Sequence, residues 1–181
     1  MIIYKDLLTG DEIISDTYKI KEVDEVIWEV DTKSVPLNDD LDINIGANAS
    51  EDPNLPEEEK GLASGGGGGE QIETAYEIVK AFQLEDAGPY DKAMYKKHLK
   101  EYIERLKKHF IEHEDDKEKI RTFLAGAAKQ SKRLLGIVGN CELFKGQTDD
   151  ESSMRVLIDF REDGVTPYAI IWKHGLQEMK V

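Results

Sequence analysis

The stretch from Asp91 to Gly139 constrains the fold of this chain more than any other, because its apolar spacing is that of two consecutive α-helices. The connection at residues 113–117 (HEDDK) is short and polar, so the two helices are expected to lie antiparallel. Asp91 stands at the N-cap of the first helix, and Asp115 with Glu118 resembles a capping box for the second. The small Ala127 and Ala128 of the second stripe would let the helices approach closely. The first apolar stripe is Tyr95, Leu99, Tyr102, Ile103, Leu106 and Phe110, and the second is Ile120, Phe123, Leu124, Ala127, Ala128, Leu134, Leu135 and Val138.

This helical stretch carries a charge opposite to that of the remaining chain. Between Lys92 and Arg133 there are thirteen Lys or Arg and seven Asp or Glu, a net charge of +6, whereas the chain of 181 residues has a net charge of −14. Such a dipolar distribution orients an approaching partner, and an acidic protein tail is the natural class, with an ordinary solvated helix surface as the alternative. The acidic balance makes nucleic acid an unexpected partner. The basic residues off the apolar stripes, predicted to face solvent, are Lys96, Lys97, Lys100, Lys107, Lys108, Arg121, Lys129, Lys132 and Arg133.

Short β-strands are predicted on both sides of the helices. Turn residues separate a strand within 1–8 from a return strand at 12–15, and two more strands follow at 18–23 and 26–30. Alternation in the last of these places Val26, Trp28 and Val30 on one face. The segment 77–84 is predicted as a strand, with a short helix as the alternative. After the helices, strands are predicted at 141–145, at 154–160 with Val156, Ile158 and Phe160 on one face, and at 166–172, which gives an α+β fold whose N- and C-terminal strands share one sheet system.

The region between the two strand groups is acidic and poor in large apolar residues. Nine acidic residues and three prolines lie between Asp31 and Lys60, and a pentaglycine run follows at 65–69. Such a segment buries too little apolar surface to offset its ordering entropy, so residues 38–70 are predicted to form a long mobile acidic loop. The order Asp40, Asp42, Asn44, Glu51 echoes a calcium-binding loop, but Gly46 falls at position seven rather than six and no helices flank it. A solvated acidic loop with weak Ca²⁺ attraction is therefore the expectation.

Several classes of site and location are disfavoured by the residues present. A single cysteine, Cys141, excludes an intrachain disulfide and a multi-cysteine zinc site. His109 and His113 have a spacing that could hold a metal, although a solvated face is favoured. No nucleophile elbow, phosphate-cradling loop or dinucleotide fingerprint occurs, so no enzymatic activity and no required cofactor are expected. Without a secretory leader or a run of about 18 apolar residues, the chain is expected to be cytoplasmic and to lack a membrane span.

Four stretches resemble the translationally controlled tumour protein family over essentially the whole chain. They are MIIYKDLLTGDEIISD at 1–16, IGANAS at 45–50, DFREDGVTPY at 159–168 and the ending KHGLQEMKV. The resemblance implies one β-tent domain over 1–181, with mixed or antiparallel sheets, a protruding antiparallel helical hairpin at 91–139 and a mobile acidic loop at 38–70. That fold is shared with small-GTPase-binding proteins that carry a zinc site, and the lone cysteine implies that this chain lacks such a site.

The same resemblance implies a non-enzymatic protein with several partners. It implies calcium binding, association with tubulin and microtubules, interaction with small GTPases, and roles in growth and in survival against apoptosis. The family's GTPase-contacting glutamate corresponds to Glu12, while a further family glutamate is replaced here by Gln147, which weakens the proposed nucleotide-exchange role. A chaperone-like interaction hub is a further alternative, and release from cells without a signal peptide is also implied. Tubulin binding is assigned to the helical region, in agreement with Lys96, Lys97, Lys100, Lys107 and Lys108.

Overall fold

The computed structural model describes residues 1–37, 73–113 and 115–181. All the strand pairings in these ranges are antiparallel. The predicted loop at 38–70 and the calcium candidates Asp40, Asp42, Asn44 and Glu51 lie outside them. In chain order the elements are β1 (Ile2–Asp6), β2 (Glu12–Ser15), β3 (Ile20–Val23), β4 (Ile27–Asp31), β5 (Ser34–Pro36), β6 (Thr74–Tyr76), α1 (Glu77–Ala81), β7 (Glu85–Asp86), α2 (Lys92–Glu112), α3 (Lys117–Ile137), β8 (Glu142–Lys145), β9 (Val156–Phe160), β10 (Pro167–Trp172) and β11 (Leu176–Lys180).

The strands form three sheets, in which the two ends of the chain pair with each other. The three-stranded sheet has the order β11-β1-β2, the six-stranded sheet has the order β3-β4-β10-β9-β8-β7, and β5 pairs with β6. In the first sheet Ile2 is opposite Lys180, and in the second Ile27 is opposite Trp172. The prediction that N- and C-terminal strands share one sheet system is confirmed, although no sequence pattern indicated β11.

The core lies on both faces of the six-stranded sheet, and all six residues of β10 are buried. On one face, Trp28 of β4 meets Tyr4 of the three-stranded sheet, with ring centroids 4.8 Å apart. On the other face, Trp172 meets Phe123 of α3 at 6.5 Å. The face of β4 that carries Ile27 and Glu29 is also buried, while Trp28, on the face predicted for it, is half-buried.

Strand β9 is likewise buried on both faces over its first three residues. Val156, Leu157 and Ile158 are all buried in the sheet interior, whereas Phe160, at the end of the strand, is 45% exposed. A central strand covered on both faces carries apolar residues at successive positions, which period-two alternation does not describe.

The segment predicted as a strand at 77–84 forms helix α1, which was the alternative. Its first amide groups find acceptors far back in the chain: Glu77 N donates to the Lys33 carbonyl (2.8 Å) and Ile78 N to Thr32 Oγ1 (3.2 Å). These bonds satisfy amides that a helix start leaves without intrahelical partners. The helix ends in a turn where Gln83 has a left-handed φ of 54°.

The helical hairpin formed by α2 and α3 is confirmed, with changes in its details. Asp91 caps α2 by accepting from Met94 N at 2.7 Å. The cap of α3 is Asp116, which accepts from Glu118 N at 3.0 Å, so the box predicted at Asp115 is placed one residue too early. Of the two alanines predicted to let the helices approach closely, Ala127 is buried and Ala128 is exposed.

Gly126 makes a close approach of α3 to the sheet. A methyl group at Gly126 would come within 2.5 Å of Val26 Cγ1, beside β4. A small residue is thus needed where α3 crosses the sheet. No described helix is long and apolar enough to cross a membrane.

Candidate binding surfaces

The outer side of the hairpin presents a row of cations that we call the basic flank: Lys96, Lys100, Lys107, Arg121 and Lys132. At 3.6 residues per turn, the three lysines of α2 fall within about 40° of one another. Around α2 they lie within about 80° of Phe110, which contacts Phe123 of α3 with ring centroids 5.5 Å apart. All five cations are exposed. Exposed cations of the basic flank therefore lie on both helices of the hairpin.

The other two predicted lysines, Lys97 and Lys108, lie on a different part of α2. Both are exposed, but they alternate around the helix with Glu101 and Glu104. Lys108 also approaches Glu112 at 4.0 Å. Their positive charge is accordingly offset by neighbouring carboxylates.

Few cations of the basic flank are neutralised. Arg121 lies 3.7 Å from Glu118, an exposed pair of little energetic weight. Within residues 1–37, 73–113 and 115–181, Lys96, Lys100, Lys107 and Lys132 form no ion pair. The basic flank thus carries uncompensated charge towards solvent.

Arg133 is half-buried against the sheet, and the prediction that it faces solvent is wrong. Its Nη2 lies 2.8 Å from Oε2 of Glu29, a residue only 5% exposed. Arg161 binds the other carboxylate oxygen of Glu29, and its guanidinium also lies over the Tyr168 ring at 3.9 Å. Arg133 lies on the side of α3 that packs on β4, and there it pairs with the buried carboxylate of Glu29.

Lys129, which is exposed as predicted, takes part in the same attachment of the hairpin. Its Nζ is 3.3 Å from Asp24 Oδ1, and Gln130 donates to the other oxygen of that carboxylate. Asp24 and Glu25 form the β3–β4 turn with left-handed φ values of 49° and 62°. One side of α3 is therefore fixed to the sheet, which leaves the basic flank free on the other side.

A second candidate surface is a polar cleft of about 360 Å³ that contains Glu12. We call it the Glu12 cleft. One wall is the β1–β2 turn and the other is the end of α1. The side chain of Glu12 is exposed, and Gln147, from the loop between β8 and β9, lies in the same cleft. The lining residues are Lys5, Gly10, Asp11, Glu12, Ala81, Phe82, Gln83 and Gln147.

The β8–β9 loop is held against this cleft by two sets of side-chain bonds. Asp11 accepts from Thr148 twice, from N to Oδ2 at 3.0 Å and from Oγ1 to Oδ1 at 2.8 Å. On the other wall, Gln147 donates to Gln83. The backbone of Gly146 passes so close to Asp11 that a methyl group there would overlap the Asp11 side chain. We call the Asp11–Thr148 contact the clasp.

Sequence reasoning named Glu12 and Gln147 through the family resemblance, and the structure brings both to one cleft. It missed Asp11, Gln83 and Thr148. Residues 11 and 148 are separated by 137 positions, so no local pattern could connect them. The one available signal was Gly146, a glycine directly before the residues that form the loop.

Of the four histidines, His98 is buried, His109 and His174 are half-buried and His113 is exposed. His113 is exposed, and its ring stacks on half-buried His109 at a centroid distance of 4.0 Å. Burial lowers the pKa of His98 and of His174 to about 4, so both are neutral at neutral pH. Within the described ranges, no three His, Cys, Asp or Glu side chains converge in a group that could hold a metal ion.

These features define a class: an α+β protein built on antiparallel sheets, whose distinctive surfaces are a basic hairpin and a polar cleft. The family follows from direct comparison. Residues 1–177 match the model of the family described as "Translationally controlled tumour protein". The chain belongs to that family.

Curated relatives agree over the full length of both chains. The "Translationally-controlled tumor protein homolog" of Aspergillus oryzae is 41% identical over 181 residues, with complete coverage of each chain. The homolog of Candida albicans is 35% identical, again with complete coverage. These printed names describe no enzymatic activity.

Solved structures show the same architecture. The translationally controlled tumor-associated protein p23fyp of Schizosaccharomyces pombe superposes with a TM-score of 0.74 at 32% identity, covering 100% of both chains. The Caenorhabditis elegans translationally-controlled tumor protein gives a TM-score of 0.66 at 24% identity, covering 100% of this chain and 99% of that one, and supports the fold alone. The predicted fold class, with its antiparallel helical hairpin, is confirmed.

Proposed function

We propose that this chain is a non-enzymatic, cytoplasmic binding protein that associates with microtubules through the basic flank. The observation that carries the proposal is the set of exposed cations Lys96, Lys100, Lys107 and Lys132, without ion pairs in the described parts of the chain. They stand on a molecule with a net charge of −14. A local positive surface on an acidic protein attracts acidic partners and repels most others. The acidic tails of tubulin have the chemistry to occupy it.

Salt dependence follows from the same exposure. Charges on the flank are separated from a partner by water, and such interactions are screened over about 8 Å at physiological ionic strength. Binding is therefore expected at low salt and to weaken steeply as salt rises. Binding through an apolar contact would persist.

The test is co-sedimentation with microtubules, comparing the unmodified chain with the triple variant Lys96→Glu, Lys100→Glu, Lys107→Glu. The matched control reverses three exposed lysines away from the hairpin, Lys19, Lys21 and Lys180, and has the same net charge. We expect the flank variant to bind at least about tenfold more weakly, since each lost charge contact contributes some tenths of a kcal/mol or more. The control variant should bind nearly as well as the unmodified chain.

Two results would remove the role of the basic flank. Equal pelleting of the flank variant and the unmodified chain at low salt is one. Equal weakening in both triple variants is the other, since it would indicate a dependence on net charge alone. A variant reversing Lys97 and Lys108, whose charges are offset by glutamates, should have a smaller effect than the flank variant.

A second candidate function is regulation of a small GTPase through the Glu12 cleft. It is supported by the exposed carboxylate of Glu12 and by the position of Gln147, which stands where the family resemblance places a glutamate, in the same cleft. The measurement is release of a fluorescent guanine nucleotide from the GTPase with and without this protein. We expect Glu12→Gln to abolish any acceleration and Gln147→Glu to increase it. No acceleration by the unmodified chain, or full activity of Glu12→Gln, would exclude this function.

Weak calcium binding by Asp40, Asp42, Asn44 and Glu51 is a third component of the proposal. Carboxylate and amide oxygens at alternate positions are ligands that Ca²⁺ accepts. Calorimetric titration with Ca²⁺ should give a binding heat that is lost in the double variant Asp40→Asn, Asp42→Asn. If deleting residues 38–70 leaves that heat unchanged, the binding lies elsewhere.

A further inference from the structure

The loop that closes the Glu12 cleft carries an exposed hydroxyl group at Thr148. The loop runs from the end of β8 at Lys145 to the start of β9 at Val156 and has no ladder partner between them. Thr148 is exposed within it. A hydroxyl on an exposed loop without sheet pairing is accessible to an enzyme that must draw its substrate into an extended groove.

Three acidic residues follow this hydroxyl directly: Asp149, Asp150 and Glu151. Asp149 and Glu151 are exposed, while Asp150 is engaged by Arg105 at 2.9 Å. Kinases select substrates by charge patterns around the accepting hydroxyl. An acidic run on the C-terminal side suits a kinase with a basic substrate groove.

The same hydroxyl is half of the clasp. Thr148 Oγ1 donates its proton to Asp11 Oδ1 at 2.8 Å, and the other oxygen of that carboxylate accepts from Thr148 N and from Thr9 Oγ1. A phosphorylated oxygen has no proton to donate. It also brings a charge of about −1.5 to −2 next to the Asp11 carboxylate.

We propose that Thr148 is a phosphorylation site, and that its phosphorylation opens the clasp and reshapes the Glu12 cleft. The γ-phosphoryl group of ATP is transferred: a bond forms between Thr148 Oγ1 and the γ-phosphorus, and the bond from that phosphorus to the β,γ-bridging oxygen breaks. The hydroxyl proton passes to the base of the kinase, and ADP leaves. The modified loop is then repelled by Asp11, and Gln147 moves with it.

Nearby charges favour opening over a new closed arrangement. Asp11 and Glu12 add two carboxylates to the cleft, and Lys5 is its single cation. Lys145, at the base of the loop, already pairs with Glu85 at 3.0 Å. Ser152 differs from Thr148, because its hydroxyl accepts from Arg105 at 2.7 Å and a phosphate there would gain a cation. The opening is therefore specific to Thr148.

The experiment treats the full chain with casein kinase II, a kinase directed by acidic residues, and ATP. Peptide mass spectrometry should place one phosphoryl group on Thr148, and Thr148→Val should abolish it. Amide hydrogen exchange of residues 6–12 and 146–148 should then accelerate at least about tenfold, the factor equivalent to one lost hydrogen bond. Exchange in α2 and α3 should not change.

Asp11→Asn supplies the matched control, because it removes the repelling charge and offers an amide donor to the phosphate. In that variant, phosphorylation should accelerate exchange by much less. The proposal is overturned if the phosphate is found on Ser152 instead of Thr148, or on neither. It is equally overturned if phosphorylated Thr148 leaves exchange in 6–12 unchanged, or if Asp11→Asn responds as strongly as the unmodified chain. All readouts are made on the free protein, so they stand apart from any test of microtubule or GTPase binding.

Discussion

Replacing Glu29 by glutamine removes the carboxylate that joins the hairpin to the sheet while keeping the size of the side chain. Glu29 is 5% exposed and receives Arg133 at 2.8 Å and Arg161 on its other oxygen. Breaking a buried ion pair on one side costs about 3–5 kcal/mol. Here the two arginine side chains keep 32% and 28% exposure and regain some hydration, and Arg161 also keeps Asp31 at 2.8 Å.

We therefore expect Glu29→Gln to lower the free energy of unfolding by about 2–3 kcal/mol at neutral pH. For a chain of this size the melting temperature should fall by roughly 5–10 °C. Glu22→Gln is the matched control, because Glu22 pairs with Lys173 at 2.6 Å but keeps 43% exposure. An exposed pair of that kind should cost less than about 1 kcal/mol.

The pH dependence of the lost free energy of unfolding shows whether it comes from the charge of Glu29 or from a change in packing. Burial alone would raise the pKa of Glu29, but the hydrogen bond from Arg161 and the charge of Arg133 outweigh burial, so the pKa lies below its usual 4.5. The stabilisation is therefore present above pH 4.5 and is lost as pH falls through the lowered pKa. Urea unfolding followed by the fluorescence of Trp28 and Trp172 should show the difference between Glu29→Gln and the unmodified chain shrinking in acid. A loss below about 0.5 kcal/mol, or one constant with pH, would refute the reasoning.

Four further substitutions test other parts of the fold by chemical denaturation. Glu25→Gly should stabilise the protein by about 0.5–1 kcal/mol, because Glu25 holds a left-handed φ of 62°; a loss of stability would contradict that turn geometry. Gly146→Ala should cost about 1–3 kcal/mol through overlap with Asp11, whereas Gly136→Ala, in open space on α3, should stabilise by about 0.5–1 kcal/mol; similar effects at both glycines would contradict the close approach. Burial lowers the pKa of His98 from 6.5 to about 4, so stability should fall by up to about 3 kcal/mol as pH drops between these values, and His98→Phe should flatten that slope; an unchanged slope would exclude His98 as its source.

The parts of the fold that were predictable from sequence depend on contacts near in the chain. The two helices of the hairpin are predictable from their periodic apolar residues. The first also has a cap at Asp91, which accepts from an amide only three residues away. Helix α1 is not predictable in this way, because its first amides bond to Thr32 and Lys33, more than forty positions earlier. Partners so distant in sequence produce no pattern in the residues around the helix itself.

The binding surfaces follow the same division. Composition identified a positive hairpin on a negative chain, but it could not separate Arg133, which faces a buried carboxylate, from the lysines that face solvent. That distinction depends on where α3 lies against β4. The clasp between Asp11 and Thr148 is a still more distant pairing, and it became visible only once the β1–β2 turn and the β8–β9 loop were placed side by side.

The pairing of the first strands with the last has a consequence for how the chain acquires its structure during synthesis. Strand β1 can pair locally with β2, but it gains its second partner only when residues 176–180 have been made. Strand β4 likewise pairs with β3 and must wait for residues 167–172 for its second partner. Contacts of such long sequence separation form late, because closing the long loop costs entropy before the contacts contribute any stabilisation. The hairpin needs only residues 92–137 for its own interhelical contacts. A nascent chain should therefore carry a formed hairpin beside two N-terminal strand pairs, in which β1 and β4 each still have one open edge. Those open edges are the part most exposed to misassociation on the ribosome.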